Sequence, residues 1–277
     1  MVRIVSDTST LYSSQQAREA GFDVSPLSVT INGQTYREFD EISAETFVDI
    51  INQGHLPVSS QPAIGAVEEL YRKYPNDQIL NISMAHGLSG TYQSACAAAE
   101  LCEDQDITVI NTTTLCGPHR CIVETAVAMA KENKTLQEIV DKVHEMMATH
   151  KSYLIPADFG YLRRGGRLSP LVSHVGQVAH LAPIMTQTED GGQLTIASVR
   201  RGFQNAIKYV IKALEERNIG KGWKMYITHA VDLPKAEQAR KMLKEAFPEV
   251  AIELMTLSPA FVTQGGPSCV AVQIIHE

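Results

Sequence analysis

Short apolar runs alternate with amphipathic stretches from the first residue onward. Residues 2–6 read as a buried strand, and residues 13–20 as a helix stopped by Gly21, because glycine enters the left-handed turn at a helix end without a Cβ clash. Residues 24–31 and 34–36 flank Asn32-Gly33, the strongest short hairpin signal in the chain, since a two-residue type I′ turn needs positive φ at both positions. Ser43 is placed to cap a helix whose Phe47, Ile50 and Ile51 share one face, with Gly54 ending it. Pro62 suits the first turn of the next helix, which runs to about residue 74. A strand over 78–83, a helix over 91–102, a strand over 107–111 and a helix over 118–133 follow. Thr135-Leu136-Gln137-Glu138 has the form of a capping box that opens a further helix. Alternation of this kind predicts an α/β fold with a parallel sheet covered by helices.

A second unit begins near residues 153–158, so the expected division is 1–152 and 153–277, two α/β domains. The second half reads as a helix over 170–181, then strands over 183–188 and 193–198 around the turn Glu189-Asp190-Gly191-Gly192. A long helix over 202–217, a strand over 224–229, a helix over 234–247 and strands over 252–256 and 269–275 complete it. No internal repeat or low-complexity linker separates the halves. Two such units leave a cleft between them, a favoured place for a ligand.

Composition narrows the class. The chain has 277 residues, with 24 basic against 31 acidic and a net charge of −7. With 44% hydrophobic and 20% charged residues, intrinsic disorder is excluded for most of it, and an acidic balance argues against binding nucleic acid by bulk charge. No apolar run approaches the ~18–20 residues that cross a bilayer, and Asp7 interrupts the first apolar run before a signal-peptide core forms. The expectation is a cytoplasmic protein with no stable membrane insertion. The five cysteines, Cys96, Cys102, Cys116, Cys121 and Cys269, include no C-x-x-C pair and read as reduced thiols packed as small hydrophobes. The histidines lack metal-ligand spacing, and His174 and His180 do not share a helix face, so no metal is expected.

Four segments read as loops that place small, polar or glycine residues between a strand and a helix, where α/β sheets line their ligand crevices. They are Val58-Ser59-Ser60-Gln61-Pro62, His86-Gly87-Leu88-Ser89-Gly90-Thr91, Tyr161-Leu162-Arg163-Arg164-Gly165-Gly166-Arg167 and Thr263-Gln264-Gly265-Gly266-Pro267. In the second, Ser89 and Thr91 with the free N–H groups of a helix start suit an anion, and they equally suit a plain helix cap. Ser59 and Ser60 carry the same two readings. Gly87-Leu88-Ser89 begins like a nucleophile elbow, but its closing glycine, Gly90, comes one place early and no base is paired with it, which argues against a serine hydrolase. Neither G-x-x-x-x-G-K-[ST] nor G-x-G-x-x-G occurs. Arg163, Arg164 and Arg167 fall within five residues around Gly165-Gly166, a concentration that suits a phosphate or an acidic partner surface and also fits a solvated turn. Asp7 reads as an Asx turn onto Thr8 and Ser9 rather than a catalytic acid.

Taken together and in order, these segments resemble the DegV family of bacterial fatty-acid-binding proteins. The resemblance runs from Ser6-Asp7-Thr8-Ser9 through Ser59-Ser60-Gln61-Pro62 and Leu88-Ser89-Gly90-Thr91-Tyr92-Gln93-Ser94-Ala95. It continues through Tyr161-Leu162-Arg163-Arg164-Gly165-Gly166-Arg167-Leu168-Ser169, Ala182-Pro183-Ile184 and Val199-Arg200. It implies one long-chain fatty acid buried between two α/β domains, with the carboxylate presented to a separate fatty-acid kinase. On that reading the protein carries lipid, needs no cofactor and catalyses nothing itself. It implies carboxylate contacts at Ser59, where the family usually has threonine, and at Ser89, with Ser60, Gly90 and Thr91 beside them. A third contact comes from Gln264 and Gly265, where the family commonly reads T-H-x-G-P-G. Glutamine here replaces that histidine, so this position donates a hydrogen bond but never becomes a cation. Asn111-Thr112 is a second departure, from Asp-Ser. Arg163, Arg164, Arg167 and Arg200 are the expected partner-docking cations. A tail of about 15 carbons gains on the order of 12 kcal/mol on leaving water, at ~0.8 kcal/mol per CH₂, so such a carrier needs an enclosed apolar channel. The apolar faces at Ile50 and Ile51 and at Leu171, Val172 and Val175, with the late strands, are candidates for its walls. The alternatives are a phosphometabolite-binding α/β enzyme using Ser89 and the arginines on a phosphate, and a lipid-sensing regulatory module.

Overall fold

The computed structural model describes residues 1–170, 172 and 181–277. The helix expected over 170–181, with the apolar positions Leu171 and Val175 and both His174 and His180, falls on or among residues outside that description.

The first half opens with strand β1 (Val2–Asp7) and helix α1 (Ser14–Ala20), whose capping box is formed by Ser13 and Gln16. Strands β2 (Asp23–Ser25), β3 (Ser28–Ile31) and β4 (Gln34–Arg37) follow. Asn32 and Gly33 both take positive φ, 50° and 75°, and Ile31 pairs with Gln34, which is the predicted two-residue hairpin. Helix α2 (Ala44–Asn52) is capped by Ser43 and buries Phe47, Val48 and Ile51, with Ile50 only half-buried at the margin. Strand β5 (Val58–Ser60) leads to α3 (Ile64–Tyr71), β6 (Gln78–Ser83), α4 (Thr91–Glu100) and β7 (Ile107–Asn111). Helices α5 (Cys116–Lys131) and α6 (Leu136–Met147) close this half, the latter with the Thr135–Glu138 capping box read from the sequence.

The second half contains β8 (Lys151–Ile155), α7 (Phe159–Gly165), β9 (Leu181–Gln187), β10 (Leu194–Arg201) and α8 (Phe203–Glu215). It ends with β11 (Trp223–His229), α9 (Leu233–Ala246), β12 (Ala251–Thr256), α10 (Pro259–Gly265) and β13 (Val270–His276).

Among the described residues these strands form three sheets. One is parallel, in the order β2-β1-β6-β7, as strand–helix alternation predicts. A small antiparallel sheet runs β4-β3-β5. The third runs β10-β9-β8-β13-β11-β12 and is antiparallel except between β11 and β12. A parallel neighbour requires a crossover that packs on the sheet, and in that sheet α9 supplies one between β11 and β12. β9 and β10 are instead joined by a tight turn, and β13 returns to insert between β8 and β11.

Three of the segments read as loops are regular structure. Val58–Ser60 is a strand because it pairs with β3, Ser59 lying opposite Val29. Residues 161–165 belong to α7, which starts on an Asp158 cap and ends at Gly166 with φ of 71°. Residues 263–265 are the last turn of α10. Pro62 lies outside helix α3, for which Ala63 is the cap.

The largest apolar cluster crosses the chain's midpoint: Ile4, Phe47, Leu80 and Ile122 share it with Tyr226, Met255, Val262 and Cys269. Helix α5 is the bridge, packing on β1 as well as on β11 and β13. It approaches so closely that a Cβ on Gly117 would overlap the Tyr226 ring. Helix α10, from the late chain, packs on α2, β3 and β5 as well as α7. That contact brings the early and late loops to one place.

Candidate functional site

Strand β5, the turn before α4 and the last turn of α10 converge on one pocket. Its walls include Ser59, Ser60, Gln61, Leu88, Ser89, Gly90, Arg167, Phe261 and Gln264. Gln264 Nε2 donates to Ser59 Oγ at 3.0 Å, across 205 residues of chain. Because that oxygen accepts from the amide, the Ser59 hydroxyl proton is left to donate elsewhere. Ser89 Oγ and Thr91 Oγ1 lie 2.8 Å apart, and Thr91 N donates to Ser89 Oγ at 3.3 Å. Ser89 therefore closes a local turn, while Gly90 at the start of α4 provides no side-chain cap. Gln61 Nε2 is held by Ser94 Oγ at 2.9 Å.

A second, apolar cavity of about 100 Å³ adjoins the first. Leu115, Leu154, Leu162, Met185, Leu194 and Ala271 contribute to its lining. Met84, Leu88, Arg167, Phe261 and Gln264 belong to both spaces. A polar vestibule and an apolar chamber thus share a wall. Two thiols in or beside the chamber, Cys116 and Cys269, are pushed up by burial, Cys269 to about 12, so both stay neutral and present sulfur as apolar surface.

The four arginines expected from the sequence to dock a partner separate. Arg163 and Arg164 are exposed on α7, with Arg164 stacked 4.5 Å over the Tyr161 ring. Arg200 is exposed on β10, 4.8 Å over Tyr209. Arg167 turns inward: Nε donates to Leu88 O at 3.2 Å, Nη1 donates to Gly165 O, and the side chain lines both cavities. Gly265 lines the apolar chamber rather than the polar pocket. Of the apolar faces expected to wall a channel, Ile50 and Ile51 line neither space, whereas the late-strand residue Ala271 does.

Sequence reading named Gln61 only as part of its segment, without a role, and missed Phe261 and the inward turn of Arg167. Phe261 lies one helical turn before Gln264, a signal that requires α10 to be recognised as a helix. Two glycines are demanded by close approach: a Cβ on Gly90 would overlap the Gln61 amide, and one on Gly165 would overlap the Gln264 amide oxygen. Gly165→Ala is therefore expected to push Gln264 off Ser59 and weaken ligand binding several-fold with little change in helix content. Equal affinity of variant and parent in a displacement assay would remove Gln264 from the site.

Among the described residues, no group of three or more His, Cys, Asp or Glu side chains is placed to hold a metal, and no helix is long and apolar enough to cross a membrane.

Comparison with known proteins agrees with the architecture. The family model described as "Uncharacterised protein, DegV family" matches residues 1–277. A DegV domain-containing protein of Listeria innocua is 30% identical over 270 residues, covering 96% of this chain and 95% of the relative. The solved structure of a Thermotoga maritima DegV lipid-binding protein superposes with a TM-score of 0.86 at 25% identity, covering 99% of this chain and 98% of that one. A Thermus thermophilus DegV family protein, described by its fatty-acid binding, superposes with a TM-score of 0.90 at 23% identity over 100% of this chain and 99% of that one. Family model, relative and fold agree along the whole length, and the chain belongs to the DegV family.

Proposed function

We propose that this protein binds one long-chain fatty acid, with the acyl tail in the apolar chamber and the carboxylate in the polar pocket. The observation that carries this reading is the shared wall. Hydroxyls of Ser59 and Ser89, the Gln264 amide and the Arg167 guanidinium line a pocket that adjoins a chamber with apolar walls. An ionised carboxylate needs donors and a counter-charge once water is excluded, and a tail needs only apolar surface. Solved DegV relatives are described as fatty-acid-binding, one of them loaded with heptadecanoic acid. Native mass spectrometry of the purified protein tests it. The expected result is a bound mass of a fatty acid that disappears on organic extraction. A bound phosphorylated metabolite would instead favour an enzyme using Ser89 and Arg167 on phosphate.

On this reading the protein is a cytoplasmic carrier. The pocket hydroxyls bond to Gln264 and to Thr91, a pattern that favours donation to a ligand over nucleophilic attack. Residues 1–152 and 153–277 act as the two units that enclose the lipid, joined through α5 and α10. The chemistry on the carboxylate belongs to a separate kinase, and the exposed cations Arg163, Arg164 and Arg200 steer that partner's acidic face. The double variant Arg163→Glu, Arg164→Glu is expected to keep its fatty-acid affinity and melting temperature, since an exposed cation–π stack contributes only about 0.5–1 kcal/mol. Kinase-dependent acyl-phosphate formation should slow, and the parent's rate should fall with added salt. A destabilised variant with unimpaired turnover would mean that these arginines hold the fold instead.

A further inference from the structure

Glu38 is a fully buried acid bonded to two residues that line the polar pocket. It accepts from Thr8 Oγ1 at 2.5 Å and from Ala260 N at 2.9 Å, the latter across 222 residues. Its own N–H donates to Leu27 O at 3.0 Å, and Thr8 Oγ1 in turn accepts from Leu27 N at 3.0 Å. Leu27 and Ala260 are both pocket-lining residues, so Glu38 is one bond removed from the space proposed for the carboxylate. No lysine, arginine or histidine forms an ion pair with it among the described residues.

The groups around it do not offset its charge. Asp7, at the end of β1, is a second buried carboxyl whose negative charge opposes that of Glu38. Both Asp7 oxygens already accept backbone N–H groups, from Ser9 at 2.9 Å and Met84 at 3.0 Å. Cys116, at the start of α5, is a neutral thiol, and His119 on the same helix is held neutral by burial among Ser6, Ser9 and Thr112. At the cap that precedes α10, the Ser258 hydroxyl lies near enough to favour the charged form of Glu38 but outside hydrogen-bond geometry. Burial nevertheless dominates and pushes Glu38 up to about 7.

Resting on the fatty-acid reading of the pocket, we infer that Glu38 takes up a proton when an acyl carboxylate enters, which couples lipid binding to pH. The step balances: one proton passes from solvent to a Glu38 oxygen, and the pocket gains one bound anion without gaining net charge. The physical cause is like-charge repulsion at low dielectric, where a second carboxylate near a buried, cation-free one favours the neutral acid. The sign follows. Below about pH 7 Glu38 is already protonated in the free protein, and binding is indifferent to pH. Above it, free protein is ionised, binding must protonate Glu38, and affinity falls by up to about tenfold per pH unit. Glu38 touches no ligand; it is a positioning residue that acts through Leu27, Ala260 and the field at the pocket.

The test uses hexadecane sulfonate, an anionic amphiphile whose head does not titrate, so any proton taken up belongs to the protein. Calorimetry at pH 7.5–8 (about one unit above the midpoint at most), in buffers of different ionisation enthalpy, is expected to show uptake approaching one proton. Glu38→Gln should abolish the uptake and flatten the dependence of Kd on pH. Thr8→Val, which removes a donor that favours the charged form, should move the window to higher pH and covers the case in which Glu38→Gln fails to fold. Binding without proton uptake by the parent overturns the coupling and leaves the fatty-acid reading intact. Uptake that persists in Glu38→Gln also overturns it, and points to another group. Failure of the sulfonate and of palmitate to bind at all overturns both.

Discussion

Replacing Arg167 by methionine is expected to weaken fatty-acid binding by about 30-fold or more, since truncating one partner of a desolvated charge pair costs roughly 2–5 kcal/mol. Arg167 combines two properties that Arg163, Arg164 and Arg200 lack: it lines both the polar pocket and the apolar chamber, and it is anchored through Leu88 O and Gly165 O. The fork is therefore held in place before a ligand arrives, which lowers the ordering cost of binding. Methionine keeps most of the apolar stem and removes the charge. Lysine should rescue only in part, because a single ammonium cannot reproduce two anchored donors and also face a carboxylate. A displacement assay with a fluorescent fatty acid, read beside the melting temperature, decides the matter. A Kd within threefold of the parent, in a variant of normal stability, would return Arg167 to a purely structural role.

The second large effect is expected from Ala271→Phe. Ala271 lies on central strand β13, opposite Leu154 of β8 and Thr228 of β11, and it lines the apolar chamber. A phenyl ring built there occupies space that a tail would need. Displacing about five methylenes at ~0.8 kcal/mol each costs about 4 kcal/mol, close to a thousandfold in affinity for a sixteen-carbon acid. Short acids of about eight carbons should bind the variant nearly as well as the parent, because the polar pocket is untouched. Overpacking adds a cost of about 1–3 kcal/mol to folding, so affinities are compared at matched folded fractions. If affinity fell equally for short and long acids, the chamber would not be the tail site.

Much of the local structure was legible along the chain because it depends on neighbours within one turn or one pleat. Asn32-Gly33 forms its hairpin, Ser13, Ser43 and Thr135 cap their helices, and the parallel β2-β1-β6-β7 sheet follows the strand–helix alternation. The motif residues Ser59, Ser89 and Gln264 do line one pocket. What failed locally was short and glycine-rich. Helices α7 and α10 have seven residues each, too short for a periodic signal, and they form because they pack on each other and on the cavity walls. In the third sheet the β9–β10 hairpin was legible from its turn, but the antiparallel pairing of β13 with β8 and β11 was hidden, since that direction is settled by where β13 inserts and not by any residue within it.

Sequence alone determined the longer helices and strands, the family resemblance and the residues available to hold an anion, because propensity, capping and motif order are properties of neighbouring positions. Tertiary structure decided what those residues face. Arg163, Arg164 and Arg167 sit within five positions, yet only Arg167 points into the shared wall, because α7 ends at Gly166 and the chain then doubles back to pair Leu168 with Leu194. Ser59 and Gln264 meet across 205 residues because α10 docks on β5. Glu38 reads in sequence as one more charge between Arg37 and Phe39; folding seals it completely behind the pocket, with no ion pair to it among the described residues. The energy of a charge depends on what surrounds it in space, and the surroundings of Glu38 come from chain segments that lie far apart until the fold brings them together.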